Sequence, residues 1–202
     1  MHNFGIIVLA AGKSQRMGSP KQLLRIGENS LVQHILKIIE STTYTPKVVV
    51  LGNEFEKIKE EIKDFDVIPV LNPEFEKGMG TSISRGISEI QKLAPNLKAV
   101  FILLVDQPFL QVNILKQIEN IFLRKGKKIV ASKYGDTFGV PALFDWSTFK
   151  DLENVDGEKG AKKLIFSYLD KGEVDLVVFP EGKFDLDTPE DYERFLKKHH
   201  KK

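Results

Sequence analysis

Six continuous apolar runs punctuate this chain: FGIIVLA (residues 4–10), KVVVLG (47–52), VIPVL (67–71), AVFILLV (99–105), KIVAS (128–132) and DLVVF (175–179). Each has strand length, and most lack polar alternation, as expected for strands covered on both faces. Helical spacing lies between them. Leu31, Ile35, Ile38 and Ile39 form one apolar stripe, Ile58 and Ile62 a second, Ile83, Ile87 and Ile90 a third, and Ile114, Ile118 and Ile121 a fourth. Strands alternating with helices predict an α/β fold on a mostly parallel sheet. Ligands of such sheets bind outside the carboxyl ends of the strands.

Residues 133–160 break this rhythm with Gly135, Gly139, Pro141, Gly157 and Gly160. The segment reads either as an active-site excursion or as an ordinary surface connection. DTPEDYERFL (187–196) predicts a last helix, with Thr188 as N-cap, Pro189 at the first helical position and Glu190 and Asp191 at the positive end of the dipole. No repeat, low-complexity tract or linker interrupts the pattern, so residues 1–202 are read as one domain. Trp146 and the phenylalanines are assigned to the core by the apolar area they carry.

Composition narrows the chemistry. A net charge of +2, with bases and acids mixed, does not mark a nucleic-acid binder. The basic tail LKKHHKK (196–202) reads as a solvated helix end. With no cysteine, disulfides, thiolate metal sites and a cysteine nucleophile are excluded. No run reaches the roughly 18 apolar residues of a membrane span, and no signal peptide is visible, so a cytoplasmic protein without a membrane partner is expected.

Three segments carry candidate chemistry. The first, LAAGKSQRMGSPKQLL (9–24), follows the first strand with two glycines and three cations, Lys13, Arg16 and Lys21. A glycine-rich turn exposes backbone N–H groups, which together with cations cradle phosphate. Two familiar phosphate motifs fail here: Gly18 is followed by Ser19-Pro20-Lys21 rather than Lys-Ser/Thr, and Ser14 stands where a dinucleotide loop needs glycine. A solvated loop with ordinary charges fits the spacing as well. The second segment, AVFILLVDQP (99–108), ends a buried strand on Asp106, a costly carboxylate unless it caps a turn, pairs or binds a cation. In the third, KFDLDTPED (183–191), Asp185 and Asp187 alternate on one face of an extended piece. Asp106 and Asp187 would form a Mg²⁺ pair if the fold brings them together.

These residues resemble the nucleotidyltransferases related to molybdenum cofactor enzymes, and most of all the molybdenum cofactor cytidylyltransferase group. The resemblance runs over nearly the whole chain: LAAG-x-S-x-R-M-G-x-x-K at Leu9 through Lys21, GMGTSISRGI (78–87) with Gly80 where a serine is expected, LLVDQP, GVPALF (139–144), DGEKGAKKL (156–164) and DLDTPEDYE (185–193). It implies a Rossmann-like, three-layer nucleotidyltransferase fold with a mostly parallel sheet. It also implies transfer of CMP from CTP to the terminal phosphate of molybdopterin, with release of pyrophosphate. Leu9-Ala10-Ala11-Gly12 favours CTP, because guanylyl-transferring relatives typically read LAGG.

By the same resemblance, nucleotide binding falls to Leu9, Ala10, Ala11, Gly12, Lys13, Ser14, Arg16, Gly18 and Lys21 in the first loop, and to Gly78, Met79, Gly80, Thr81 and Ser82 in the second. Arg16, Lys21 and Asp106 are the expected catalytic groups. Mg²⁺ is expected on Asp106 and Asp187, and the acceptor against Gly139, Pro141, Lys159 and Gly160. A molybdoenzyme that receives the product is a candidate partner. Two other functions fit the same motifs: nucleotidyl transfer to a sugar or polyol phosphate, and a nucleotide-binding regulator or chaperone without turnover. Two facing carboxylates would repel unless a cation lies between them, so removing one is expected to leave the metal-free protein as stable or more so.

Overall fold

The computed structural model describes residues 3–155, 157 and 160–199. All six apolar runs are strands of one seven-stranded sheet. In chain order the strands are β1 (Phe4–Ala10), β4 (Lys47–Leu51), β5 (Ile68–Leu71), β6 (Ala99–Leu104), β7 (Ile129–Tyr134), β8 (Thr137–Asp145) and β9 (Val174–Val178). The short β2 (Arg25–Ile26) and β3 (Asn29–Ser30) pair separately. The sheet order is β5-β4-β1-β6-β8-β7-β9, and only β8 runs antiparallel to its neighbours.

β1 shows why the runs are continuous. Phe4, Ile6, Val8 and Ala10 join the core on one face, and Ile7 and Leu9 the core on the other. The first core is completed by α1 (Leu31–Glu40), α2 (Phe55–Glu61), α4 (Val112–Lys125) and α7 (Pro189–His199), through residues such as Ile35, Ile58, Ile118 and Phe195. The second is completed by α3 (Met79–Leu93), α5 (Phe149–Glu153) and α6 (Gly160–Leu169), through Ile83, Leu152 and Ile165. The result is three layers, α/β/α. Among the described residues no helix is long and apolar enough to cross a membrane.

Local signals set the helix ends. Ser30 and Gln33 close a capping box on α1. The predicted cap on α7 is present: the Asp191 N–H donates to Thr188 Oγ1, and the Thr188 N–H donates to the Asp191 carboxylate.

The expectation for residues 133–160 is corrected. Instead of a long excursion or loop, the segment contains β8 and α5. β7 and β8 form a hairpin through Gly135-Asp136, with Gly135 at φ +64° in the first central position, where a two-residue turn calls for glycine. Pro141 lies where the β7–β8 register shifts, so its missing N–H removes no regular ladder bond. Trp146 is likewise corrected: it sits on the helical turn after β8 and is 64% exposed.

The connections position the site. From β1 the chain builds outward through β4 to β5, then crosses back to place β6 on the other side of β1. The strand order therefore reverses between β1 and β6, and the crevice at their carboxyl ends is where an open α/β sheet binds its ligand.

Candidate active site

β1 and β6 run side by side, with Leu9 paired to Leu104. Their ends deliver the first loop and Asp106 to one cavity of about 450 Å³. Its walls include Leu9, Ala11, Gly12, Lys13, Ser14, Arg16 and Lys21 from the first loop, Gly78, Met79 and Ser82 from the second, and Asp106, Asp185 and Asp187.

A glutamine shapes the first loop. Gln22 is buried; its Nε2 donates to the carbonyls of Ala10 (2.7 Å) and Gly12 (3.1 Å), and so clamps the strand end. Ser14, at φ +51°, accepts the Lys21 N–H on its hydroxyl (3.0 Å). These bonds curl residues 12–20 into an arch and aim Lys21 inward from the helical turn Lys21–Leu23. The backbone N–H groups of Lys13 to Arg16 make no bond to the described residues. Across the cavity mouth, Lys13 pairs with Glu76 at 3.4 Å, tying the arch to the turn before the second loop. Replacing Gln22 with alanine removes the donor shared by the Ala10 and Gly12 carbonyls, and denaturant unfolding should show a loss of about 1–3 kcal/mol.

The charges converge on Lys21. Its Nζ lies 2.5 Å from Asp106 Oδ2 and 2.9 Å from Asp187 Oδ1, and Arg16 donates to Asp187 Oδ2 at 2.9 Å. The carboxylates of Asp106 and Asp187, expected to meet at a metal ion, thus meet at an ammonium. The Lys21 side chain is 10% exposed. Burial opposes its charge, but Asp106 and then Asp187 outweigh burial and hold its pKa above the ordinary value. Asp187 is pulled below the usual carboxylate range: burial opposes this, and Lys21 and Arg16 override it.

Asp185 is the third acid of the cluster, and its neighbour Leu186 is fully buried beneath it. Burial first, then the charges of Asp106 and Asp187, push its carboxyl up to about 7 against the pull of Lys21. The Leu186 N–H donates to the Asp106 carbonyl at 3.0 Å, which fixes the acidic strand against the β6 end.

A divalent cation fits this donor set on one specific ground. Asp106 Oδ1 is buried and has no hydrogen-bond partner. Hard cations take carboxylate oxygens of this kind. No cage of three or more acidic or histidine side chains is preformed among the described residues, so substrate oxygens and water would have to complete the coordination.

Other expected site residues lie elsewhere. Ala10 is buried in β1, and Gly18 (φ +70°) and Thr81 do not line the cavity. Gly80, expected in a loop, is buried in the first turn of α3, where its N–H donates to the Gly157 carbonyl at 3.1 Å. Gly139 and Pro141, expected at the acceptor, are buried in β8 away from these walls, and a Cβ at Gly139 would collide with the Tyr134 hydroxyl. Gly160 packs on Met79, where a Cβ would come within 2.9 Å of the sulfur, so it abuts the second loop from behind. Lys159 lies outside the described residues. Gln22 and Asp185, inside the candidate segments but given no binding role there, and Asn72, outside them, complete the site.

Comparison with known proteins matches the fold and the family. Purine catabolism protein PucB of Bacillus subtilis is 28% identical over 93% of each chain. A probable molybdenum cofactor guanylyltransferase of Natranaerobius thermophilus is 24% identical over 96% of each. Among solved structures, Rv0371c of Mycobacterium tuberculosis superposes with a TM-score of 0.80 at 26% identity, covering 98% of this chain and 99% of its own. Residues 6–172 match the MobA-like NTP transferase domain, from within β1 to the turn before β9. That match spans most of the chain, so the chain belongs to the family of MobA-like NTP transferase domains and is a nucleotidyltransferase.

Proposed function

We propose that this nucleotidyltransferase transfers CMP from CTP to the terminal phosphate of a molybdopterin-type acceptor and releases pyrophosphate, with Mg²⁺ held by Asp106 and Asp187. The observation that carries the reading is the single cavity in which the phosphate arch, the second loop and the Lys21–Asp106–Asp187 cluster face one another. Leu9-Ala10-Ala11-Gly12 supports cytosine as the base. The relative named as a molybdenum cofactor guanylyltransferase supports a molybdopterin acceptor. A manganese complex has been solved for Rv0371c, which supports a divalent ion here.

The chemistry is an in-line displacement. An oxygen of the acceptor phosphate forms a bond to the α-phosphorus, and the bond from that phosphorus to the pyrophosphate oxygen breaks. No protein nucleophile is required. Catalysis comes from positioning and from neutralising charge on the phosphate oxygens. The free N–H groups of Lys13 to Arg16 and the Arg16 guanidinium grip the triphosphate. Lys21 offers a compact charge from inside the cluster. When bound, Mg²⁺ supplies further neutralisation at the phosphates.

A pyrophosphate-release assay with each nucleoside triphosphate, with and without molybdopterin, tests the reading. CTP with Mg²⁺ and molybdopterin should give the fastest release, and calorimetry should show CTP binding more tightly than GTP. Tighter GTP binding overturns the base assignment. Release that depends on a sugar or polyol phosphate instead overturns the acceptor.

A further inference from the structure

We infer that Asn72 sets the hydrogen-bonding polarity of the nucleotide cavity, by turning the Ser82 hydroxyl so that its proton faces the ligand. The inference rests on the nucleotide-binding reading above and adds a positioning residue to it.

Asn72 directly follows β5 and is buried. Its backbone N–H donates to the Leu51 carbonyl at 2.8 Å, anchoring it to the neighbouring strand. Its Oδ1 accepts the Glu74 N–H at 3.0 Å. A backbone N–H can only donate, so this bond fixes which end of the amide is oxygen and which is nitrogen. The nitrogen end therefore points at α3. Its two hydrogens reach Thr81 Oγ1 and Ser82 Oγ, each at 2.9 Å.

Both hydroxyls are thus acceptors toward Asn72, but their protons have different fates. Thr81 spends its own within the turn, on the carbonyl of Gly78 (2.9 Å) or Glu74 (3.1 Å). Ser82 lines the cavity, and its proton has no acceptor among the described residues. A hydroxyl whose lone pair is held by an amide and whose proton is uncommitted offers a ligand a donor. Ser82 is therefore set to donate to an acceptor atom of the nucleoside, such as O2 or N3 of cytosine. Thr81 is the brace that keeps Asn72 in place.

Asn72→Asp tests this. Aspartate still accepts the Glu74 N–H and nearly keeps the shape, but it replaces both donor hydrogens with an acceptor oxygen. Ser82 must then donate to it, and its proton leaves the cavity. Calorimetry should show CTP affinity falling about tenfold in Asn72→Asp and by a similar factor in Ser82→Ala, the scale of one hydrogen bond to a ligand. The double variant should lose no more than either single one, because both changes remove the same donor. Losses that multiply overturn the proposal, since repulsion from the new charge or general loosening persists without Ser82. A lowered Tm with unchanged CTP affinity overturns it too, by making Asn72 only structural. If the aspartate variant does not fold, Asn72→Ala enters the same cycle under the same criterion. Wild-type protein that binds no nucleoside triphosphate rejects the nucleotide-binding reading itself, a failure distinct from an additive cycle in a protein that binds CTP.

Discussion

Replacing Lys21 with alanine should lower turnover about 10²–10³-fold at saturating substrate, the usual scale for deleting one preorganised electrostatic stabiliser. The geometry adds a consequence that the loop sequence did not reveal. Lys21 Nζ is the cation shared by Asp106 and Asp187. Its removal leaves these carboxylates facing one another beside Asp185, whose carboxyl is already pushed up to about 7 by its surroundings. Stability should therefore fall as well, by about 3 kcal/mol, near the lower end for breaking a buried ion pair. An added divalent cation should restore part of it by replacing the missing charge, so Mn²⁺ should raise the Tm of Lys21→Ala more than that of the wild type. Arg16→Ala is the contrast. Its side chain is 70% exposed and among the described residues pairs only with Asp187, so turnover should drop while the Tm barely moves. A Lys21→Ala protein with wild-type turnover would reduce this lysine to a structural ion pair.

The sheet was readable because its strands are buried on both faces and so appear as unbroken apolar runs. β8 escaped because Gly139 and Pro141 interrupt it, and only the register shift against β7 makes a proline tolerable there. Trp146 was assigned to the core from its size alone, but its place on an exposed turn was decided by tertiary context. The charged groups at strand ends were legible for a physical reason: a glycine-rich cationic loop or an aspartate directly after an apolar strand needs a partner. Gln22 and Asn72 were not legible in this way. Each is a lone amide, Gln22 on the helical turn Lys21–Leu23 and Asn72 just after β5, and its function depends on neighbours distant in sequence: the carbonyls of Ala10 and Gly12 for Gln22, and two hydroxyls of α3 for Asn72. Gly139 and Pro141, read from a motif as acceptor contacts, lie within β8 of the sheet.

Asp106→Asn should abolish most turnover, and its effect on stability should reverse the expectation drawn from the sequence. If Asp106 and Asp187 met only at a metal ion, the metal-free protein would gain by losing one charge. In the structure an ammonium already lies between them, and Asp106 is its nearer partner at 2.5 Å. Asparagine keeps the shape but leaves Lys21 with a neutral contact in place of a charge-assisted one. The metal-free variant should thus be less stable than wild type, by about 1–3 kcal/mol in denaturant unfolding. Asp187→Asn should cost less, because Asp187 is more exposed and Lys21 keeps its shorter bond to Asp106. Metal binding should separate the two effects. Asp106 Oδ1 is buried without a hydrogen-bond partner, so Mn²⁺ titrated with CTP should stabilise the wild type and leave Asp106→Asn nearly unmoved. If Asp106→Asn keeps both the Mn²⁺-linked rise in Tm and its turnover, the metal is held elsewhere and Asp106 serves only to anchor Lys21. If the metal-free variant is instead more stable than wild type, the Lys21 pairing does not persist in solution, and the repulsion expected from the sequence governs the site.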